Sequence, residues 1–459
     1  MAEKGQTNNG KDMTVGRPAK LIFLFAVPLM LGNMFQQIYT LVDALIVSRL
    51  IGVNALAAVG SGDWYTYMIL VLVQAAAQGF SIKVAQYYGA GDYDRMRNVF
   101  ARSVRLSILI TIVLFLAAEG AIPFVLHFLN TPAAIRYDAA LYIRTLFLGI
   151  PFMMLYNMTA SMLRAVGDSR SPLVGIAIAS AGNIVLDLLF VAVFHWGLFG
   201  AAFATALSEL SSGLFCLWAL RRIPILRIHR KDFRGSAEMD VRLLQLAMPL
   251  VLSNMLICIG GLIVASVENT FGVEYVAGYT ATNKLYSVLE MAAISYGFAM
   301  VTYVGQNYGA GDAARIRRGY RDAVIIALAT SALITAVCLF AGKGIISLFI
   351  TDTEKNASAF YVASLYLKIL SIPLSVLYIL HVTRNTLTGL GDTLSPMISG
   401  FVEFVIRAVM ALAVTKMIGS ISIMLAEPFS WAGADVVLIF ALTRQRRRLK
   451  RLEERRTGR

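Results

Sequence analysis

Residues 33–43 read Asn-Met-Phe-Gln-Gln-Ile-Tyr-Thr-Leu-Val-Asp and lie inside a long apolar run that extends from about residue 20 to residue 49. At 3.6 residues per turn, a helix places Gln36, Tyr39 and Asp43 on one face. Four apolar residues follow Asp43 directly, so the carboxyl group is not at a solvated helix end. An ionisable group inside a membrane helix costs about 3 kcal/mol and therefore marks a candidate functional site. The alternative is a carboxyl group that bonds Tyr39 and Gln36 for packing alone.

The composition is that of a polytopic membrane protein rather than a soluble enzyme. Of the 459 residues, 58% are apolar and 15% are charged. Runs of about 20 apolar residues, the length that a bilayer crossing requires, recur along the chain. We count twelve such segments between residues 19 and 443. The sequence therefore predicts an all-α fold of twelve transmembrane helices.

Motifs typical of other protein classes are missing from the sequence. The three cysteines lie in apolar runs and have no disulfide or metal-binding spacing. The four histidines are scattered, and there is no GxxxxGKS/T phosphate-binding loop. No pattern of nucleophile and base supports an intramembrane enzyme. We expect a protein that is not an enzyme, has no cofactor and does not use ATP.

The basic residues are distributed unevenly between alternate loops. The formal net charge is +14, and 31 of the 41 Lys and Arg residues lie at the termini or in the loops after every second segment. The other loops hold five. Because cytoplasmic loops are enriched in Lys and Arg, we predict a plasma (inner) membrane protein with both termini in the cytoplasm. This distribution also speaks against nucleic acid as a partner.

The chain repeats itself after about 220 residues. Residues 26–34, Ala-Val-Pro-Leu-Met-Leu-Gly-Asn-Met, are echoed at 247–255 by Ala-Met-Pro-Leu-Val-Leu-Ser-Asn-Met. The motif Tyr-Gly-Ala-Gly-Asp occurs at 88–92 and again at 308–312. Its glycines suit a tight, left-handed turn between helices.

Two parallel six-helix lobes follow from this duplication. We predict an N-lobe at residues 1–231 and a C-lobe at residues 232–459, the latter ending in a basic cytoplasmic tail. An even number of helices per repeat makes the lobes related by a pseudo-two-fold axis along the membrane normal. Such repeats build transporters with a substrate site between the halves and alternating access by rocking. A pure channel is disfavoured for the same reason.

The two repeats differ at polar positions inside their helices. Asn183 and Asp187 are spaced i, i+4 on one face of the fifth segment. The matching positions in the second repeat, 224 residues later, are Arg407 and Ala411. The N-lobe pair of polar side chains is therefore not duplicated.

Asp43 is not duplicated either, because its counterpart 221 residues later is Val264. Carboxylate, amide and hydroxyl oxygens are the ligands that hard cations prefer. The sequence predicts a cation or proton site, possible for Na⁺, made by Asp43, Asn183, Asp187 and Thr205. The alternative is a polar network that only joins helices.

The sequence resembles the multidrug and toxic compound extrusion (MATE) family over residues 16–443. The resemblance is carried by the duplicated Gln-(Tyr/Asn)-Tyr-Gly-Ala-Gly-Asp, by the Gly-Asp-x-x-Ser-Pro turns, and by the first-helix pattern Pro28, Gln36, Tyr39, Val42 and Asp43. It implies efflux of organic, often cationic, compounds in exchange for Na⁺ or H⁺. In archaeal and DinF-like members, residues matching the four predicted ligands form an N-lobe cation or proton site.

The second repeat carries its own intramembrane acids. We expect Glu268 and Glu290 to line a substrate cavity together with Gln36 and Tyr39. Glu403 lies four residues before the arginine of the eleventh segment, and we predict a self-neutralising pair. The NorM-like branch of the family uses a seventh-helix Glu and a tenth-helix Asp, but the tenth segment here carries a lysine and no Asp. In the N-lobe, the orientation of the acid at position 209 stays open.

The function that we predict is secondary active export of organic, cationic drugs or toxic compounds in exchange for H⁺ or Na⁺. We expect a monomer in the lipid bilayer, with a helix hinge at Pro28 because proline weakens the backbone ladder. The alternative is a lipid or lipid-linked saccharide flippase of the same superfamily. Such flippases have about fourteen helices and an arginine-lined cavity, whereas the sequence offers one basic group, Arg407, near mid-membrane.

Overall fold

The computed structural model describes residues 12–129, 131–233, 237–347, 349–350 and 356–457, and within them every regular element is helical. The helices of the first repeat are α1 Pro18–Ile46, α2 Val53–Ala90, α3 Tyr93–Phe128, α4 Ala133–Phe147, α5 Ile150–Ala165, α6 Arg170–Asp187 and α7 Gly197–Arg221. Those of the second are α8 Ala237–Glu268, α9 Val273–Gly309, α10 Ala313–Ile346, α11 Ala357–Ser371, α12 Leu374–Gly389, α13 Leu394–Val409, α14 Thr415–Ile418 and α15 Ile421–Thr457.

Ten of these helical stretches are long and apolar enough to cross a membrane, and two bent pairs raise the number to twelve. The twelve predicted spans are thereby confirmed. The fourth span is bent by 41° between α4 and α5, and the tenth by 48° between α11 and α12. Pro151 is the second residue of α5 and Pro373 is the N-cap of α12, so each bend lies where a proline interrupts the backbone hydrogen bonds.

The duplicated turn has the same geometry in both repeats. Gly91 and Gly311 have φ of 72° and 69°, in the left-handed region that favours glycine. The Asp92 carboxylate accepts from the Arg95 amide at 3.1 Å, and Asp312 accepts from the Arg315 amide at 3.0 Å. The motif therefore ends one helix with glycine and caps the next with aspartate.

The chain packs into two compact units, and two helices are each divided between the units. Unit 1 contains Val27–Val251, whereas unit 2 contains Met13–Ala26 and Leu252–Arg459. Both α1 and α8 therefore contribute to both units, and Pro28 and Pro249 lie within two residues of the change. The lobe boundary at 231/232 concerns the sequence repeat and stays a prediction.

The start of α1 is anchored on unit 2. The Met13 amide donates to Gln306 Oε1 at 2.9 Å, and the Met13 carbonyl accepts from Asn307 Nδ2 at 3.1 Å and Arg315 Nη2 at 3.0 Å. Arg315 Nη1 also donates to the Gly16 carbonyl at 2.9 Å. The duplicated motif of the second repeat thus binds the segment that leads into the first helix.

The start of α8 is anchored on unit 1 in a corresponding way. Asp240 forms ion pairs with Arg102, at 2.6 Å, and with Arg105, both on α3. Asn98 Nδ2 donates to the Asp232 carbonyl at 2.8 Å. The basic residues that follow the glycine turn in each repeat therefore hold the entry to a shared helix.

Candidate functional site

The two N-lobe acids lie at the ends of α1 and α6, next to irregular helix. Asp43 is followed after three residues by the π-helical turn Val47–Ile51, and Asp187 is followed at once by the π-helical turn Leu188–Val193. Such turns widen a helix locally and often mark functional sites. The corresponding stretch of the second repeat, Met410–Val414, is also π-helical, although it lacks the acid.

Asp43 and Asp187 approach each other within hydrogen-bonding range, and Asp187 is fully buried. Two carboxylates have no proton to share, so a bond between them requires that one be protonated or that a cation lie between them. In the described part of the chain, neither acid forms an ion pair with Lys, Arg or His. The structure thus brings together the buried Asp187 and the half-buried Asp43, with no basic counter-ion among the described residues.

The two other predicted ligands adjoin the pair. Asn183 is buried on α6, and its Nδ2 donates to Thr205 Oγ1 on α7 at 3.4 Å. Thr205 in turn donates to the Ala201 carbonyl at 3.2 Å. Four buried oxygen atoms receive no hydrogen bond from any described residue, namely Asp43 Oδ1, Asn183 Oδ1 and both carboxylate oxygens of Asp187. This donor set is suited to a proton or to a hard cation.

An apolar cluster surrounds the pair and keeps the local dielectric low. It joins the end of α1 and both π-helical turns to α2, α3, α4, α5 and α7, with Val47 and Val191 from the two turns buried in it. Tyr142, a buried member of the cluster on α4, lies close enough to Asp43, Asp63 and Asp187 to interact electrostatically. Sequence reasoning missed Tyr142, because its distance from the acids depends on how α4 packs.

Gln36 and Tyr39 lie on α1, two turns and one turn away from Asp43. The Gln36 side chain is within hydrogen-bonding range of the Tyr39 hydroxyl. The Glu209 carboxylate on α7 interacts electrostatically with both Tyr39 and Tyr156. Glu209 Oε2 is buried and receives no hydrogen bond from the described part of the chain. The acid whose orientation the sequence left open therefore belongs with the α1 residues, one turn of α7 beyond Thr205.

Four intramembrane charges of unit 2 form an ion-pair network, and here the predicted pairing was incomplete. Arg407 Nη2 lies 3.5 Å from Glu403 Oε2, so the expected contact is present. However, Arg407 makes a two-pronged contact with Glu427 on α15, at 2.8 and 2.7 Å, and Glu403 pairs with Arg384 on α12. Two guanidinium groups thus neutralise two carboxylates across three helices. Arg384 and Glu427 were missed because their sequence positions say nothing about which helices adjoin.

The other predicted residues of the second repeat lie in unit 2, and among the described residues they form no ion pair with this network. Glu268 is buried at the end of α8, and Glu290 Oε1 lies 3.3 Å from His381 Nε2. A cavity formed by these two acids with Gln36 and Tyr39 of unit 1 stays a prediction. Val264 and Ala411, the counterparts of the N-lobe acids, are both buried.

Among the described residues, no cluster of three or more His, Cys, Asp or Glu side chains is arranged to hold a metal ion.

These observations define a class, which is a helical membrane protein of two repeated lobes with intramembrane acids. The MatE family profile matches residues 28–189 and 249–413, one stretch in each repeat. The chain belongs to the MATE family, whose members are transporters and not enzymes.

Individual relatives match most of the chain. The probable multidrug resistance protein YpnP of Bacillus subtilis (strain 168) is 30% identical over 349 residues, which is 75% of this chain and 78% of that protein. The probable multidrug resistance protein YoeA of the same organism is 28% identical over 339 residues, 72% of this chain and 73% of that protein. A MOP superfamily transporter from Pyrococcus furiosus has the same fold, with a TM-score of 0.87 at 24% identity, covering 98% of this chain and 100% of that one.

Proposed function

We propose that the protein exports organic compounds that carry positive charge, in exchange for H⁺ or Na⁺ bound by Asp43, Asn183, Asp187 and Thr205. Two relatives with most of their length in common are named as probable multidrug resistance proteins, which supports drugs as the exported class. The acid on α7 adds a third N-lobe carboxylate beside Tyr39, where a cationic group finds both a charge and an aromatic ring.

One observation carries the proposal. Asp43 and Asp187 lie side by side in unit 1 with unpartnered oxygens and no basic counter-ion among the described residues. A buried pair of carboxylates must be neutralised by something that arrives from outside the protein, because leaving both charged in a low-dielectric site is too costly. An ion that binds and leaves is what an antiporter requires.

The coupling step that we propose acts through α1. Ion or proton binding at Asp43 removes the repulsion between the acids and changes how the end of α1 packs. Pro28 lets the helix bend, since proline lacks the amide hydrogen that would continue the backbone ladder. Substrate held near Gln36 and Tyr39 on the same helix is then released.

Transport by the purified protein in liposomes tests this function. Efflux of a fluorescent organic cation is measured under a Na⁺ gradient alone and under a pH gradient alone, for the wild type, Asp187→Asn and Glu274→Gln. Glu274 is an exposed acid at the start of α9 and serves as the matched control. We expect one gradient to drive efflux in the wild type and the control but not in Asp187→Asn. Efflux in Asp187→Asn equal to the control would rule out the proposed ion site.

We further propose a monomer in the plasma membrane with both termini in the cytoplasm. The basic loops support this orientation. The exposed positions Asp94 and Ala314 begin α3 and α10 at matching points of the two repeats. The three native cysteines are buried, so they give little background. Asp94→Cys and Ala314→Cys should both react with an impermeant maleimide only from the cytoplasmic side. Labelling of either from the opposite side of intact cells contradicts this orientation.

A further inference from the structure

A groove of about 600 Å³ lies between α3 and α4 at the end of unit 1 that is opposite the Tyr-Gly-Ala-Gly-Asp turn. Its floor is apolar and includes the buried side chains of Ile122 and Leu126. Three nitrogen-bearing side chains, His127, Arg136 and Arg144, line the same groove. The residues that line the groove do not include Asp43, Asn183, Asp187 or Thr205, which the proposed export mechanism uses.

Basic side chains are unusual at this end of the helices. Only five Lys and Arg residues fall in all the loops at this end, and Arg136 is one of them. Arg144 lies eight residues further along α4, which is about 12 Å of helix rise into the membrane-spanning part. Its side chain is 58% exposed, on the flank that the bilayer would cover. An arginine facing lipid is costly unless its guanidinium reaches a phosphate group.

The two arginines keep donors for such a group. Arg136 uses Nε and Nη2 on the Thr131 carbonyl, at 3.2 and 2.9 Å, and Nη1 makes no hydrogen bond among those described. Arg144 Nε lies 3.9 Å from Glu119 Oε2, which is too long for a hydrogen bond. Glu119 is the one carboxylate in an ion pair with a lining residue of the described groove, so two arginines and one glutamate leave a net positive charge.

The second repeat retains a cation at the equivalent place. Lys368 follows Arg144 by 224 residues, the offset that relates the neighbouring helices of the repeats, and its side chain is exposed on α11. The pairing Arg/Lys at this exposed position was thus kept while the N-lobe acids were not.

We propose that the groove between α3 and α4 binds the phosphate headgroup of an anionic glycerophospholipid between Arg136 and Arg144. Guanidinium and phosphate match as bidentate partners, and the net positive charge of the groove favours an anionic headgroup. Tyr137, which is exposed at the rim, is an amphipathic side chain suited to the interface. Phe124 and Phe128 stack on each other with centroids 6.2 Å apart on the exposed flank of α3, where an acyl chain extends.

Native mass spectrometry of the full chain in detergent tests the proposal, with phosphatidylglycerol and phosphatidylcholine titrated separately. The variant Arg136→Gln/Arg144→Gln is compared with Arg221→Gln/Arg222→Gln, which removes two exposed arginines from the opposite end of the helices. We expect the first variant to bind the first phosphatidylglycerol about tenfold more weakly than the wild type and the control to bind as the wild type does. Equal binding by the wild type and both variants overturns the proposal, as does equal loss in both variants.

Hydrogen exchange on the wild type provides a test that needs no substitution. Phosphatidylglycerol nanodiscs should slow exchange at residues 124–137 relative to phosphatidylcholine nanodiscs. Complete displacement of bound phosphatidylglycerol by millimolar inorganic phosphate would overturn the assignment to a lipid, because the acyl chains would then add nothing. Unchanged exchange at residues 124–137 in the two lipids would do the same. Transport activity is not the readout, so failure of the export proposal leaves these outcomes unaffected.

Discussion

The acid pair of unit 1 and the ion-pair network of unit 2 differ in how their carboxylates are neutralised. In unit 1, Asp43 and Asp187 adjoin with buried oxygens that receive no hydrogen bond from the described residues. In unit 2, Glu403 and Glu427 each meet a guanidinium, and Arg407 joins the two. Both regions come from the same ancestral repeat, and both contain a π-helical turn just beyond the polar residues. The difference therefore lies in the charges and not in the helix geometry.

Under the proposed function, this contrast separates a site that exchanges ions from a site that holds helices together. A carboxylate with a permanent guanidinium partner has its charge neutralised within the protein, and removing either partner leaves a buried charge unpaired. A carboxylate pair with no such partner must take up a proton or a cation and can release it again. Arg407 therefore does not support the flippase alternative, which requires an arginine-lined cavity, because Glu427 and Glu403 neutralise its charge.

The largest expected effect comes from removing the unpaired charge in unit 1. Asp43→Asn should insert into the membrane normally, because the loss of an intramembrane charge eases insertion. Coupled efflux should fall to that of vesicles without protein. The measurement is efflux from liposomes at matched protein content, with Glu274→Gln as control. Efflux at the wild-type rate would show that Asp43 has no part in coupling.

The next largest effect is expected from a substitution that breaks the ion-pair network in unit 2. Arg407→Met leaves Glu427 and Glu403 without their shared partner and should lower stability by about 3–5 kcal/mol. Arg407→Met/Glu427→Met should recover most of this loss, because Glu403 keeps Arg384 and no charge is left unpaired. Denaturant titration in detergent measures the free energy of unfolding of the single and the double variant. If the single and double variants are equally unstable, the ion pairs are not what holds α13 and α15 together.

A smaller effect is expected from replacing the prolines of α1 and α8, the two helices that are divided between the units. Pro28 and Pro249 occupy matching positions, but only α1 leads to an acid at the position of Asp43. Pro28→Ala should retain substrate binding and slow transport several-fold, because a straight α1 transmits ion binding less well. Pro249→Ala should slow it much less. Equal rates for the two variants would mean that the bend in α1 has no special role; substrate affinity and initial rates are the readouts.

Much of this architecture is local in the sequence and was predictable there. Runs of apolar residues defined the twelve spans, and the duplicated glycine turns defined the repeats. Asn183 and Asp187 are one helical turn apart, and so their shared face follows from the helix alone. The comparison of the repeats then singled out Asp43, because its counterpart Val264 is apolar.

What the sequence missed depends on how distant helices pack. Tyr142, Arg384 and Glu427 acquire their roles from neighbours on other helices, and no local pattern announces these contacts. The bends at Pro151 and Pro373 had a local signal, but an apolar run continues through each proline and hides it. The exchange of the first parts of α1 and α8 between the units is likewise a property of packing.

The contrast between the units is tested most directly by substrate binding as a function of pH. In the proposed mechanism, protons compete with a hard cation for the same oxygens of Asp43 and Asp187, and binding at two coupled sites is reciprocal. Substrate affinity should therefore fall as the pH is lowered from mildly alkaline to mildly acidic in the wild type and in Glu268→Gln, and stay flat in Asp187→Asn. If Glu268→Gln abolishes the pH dependence while Asp187→Asn retains it, coupling resides in unit 2 and the N-lobe acids are not the ion-exchanging site.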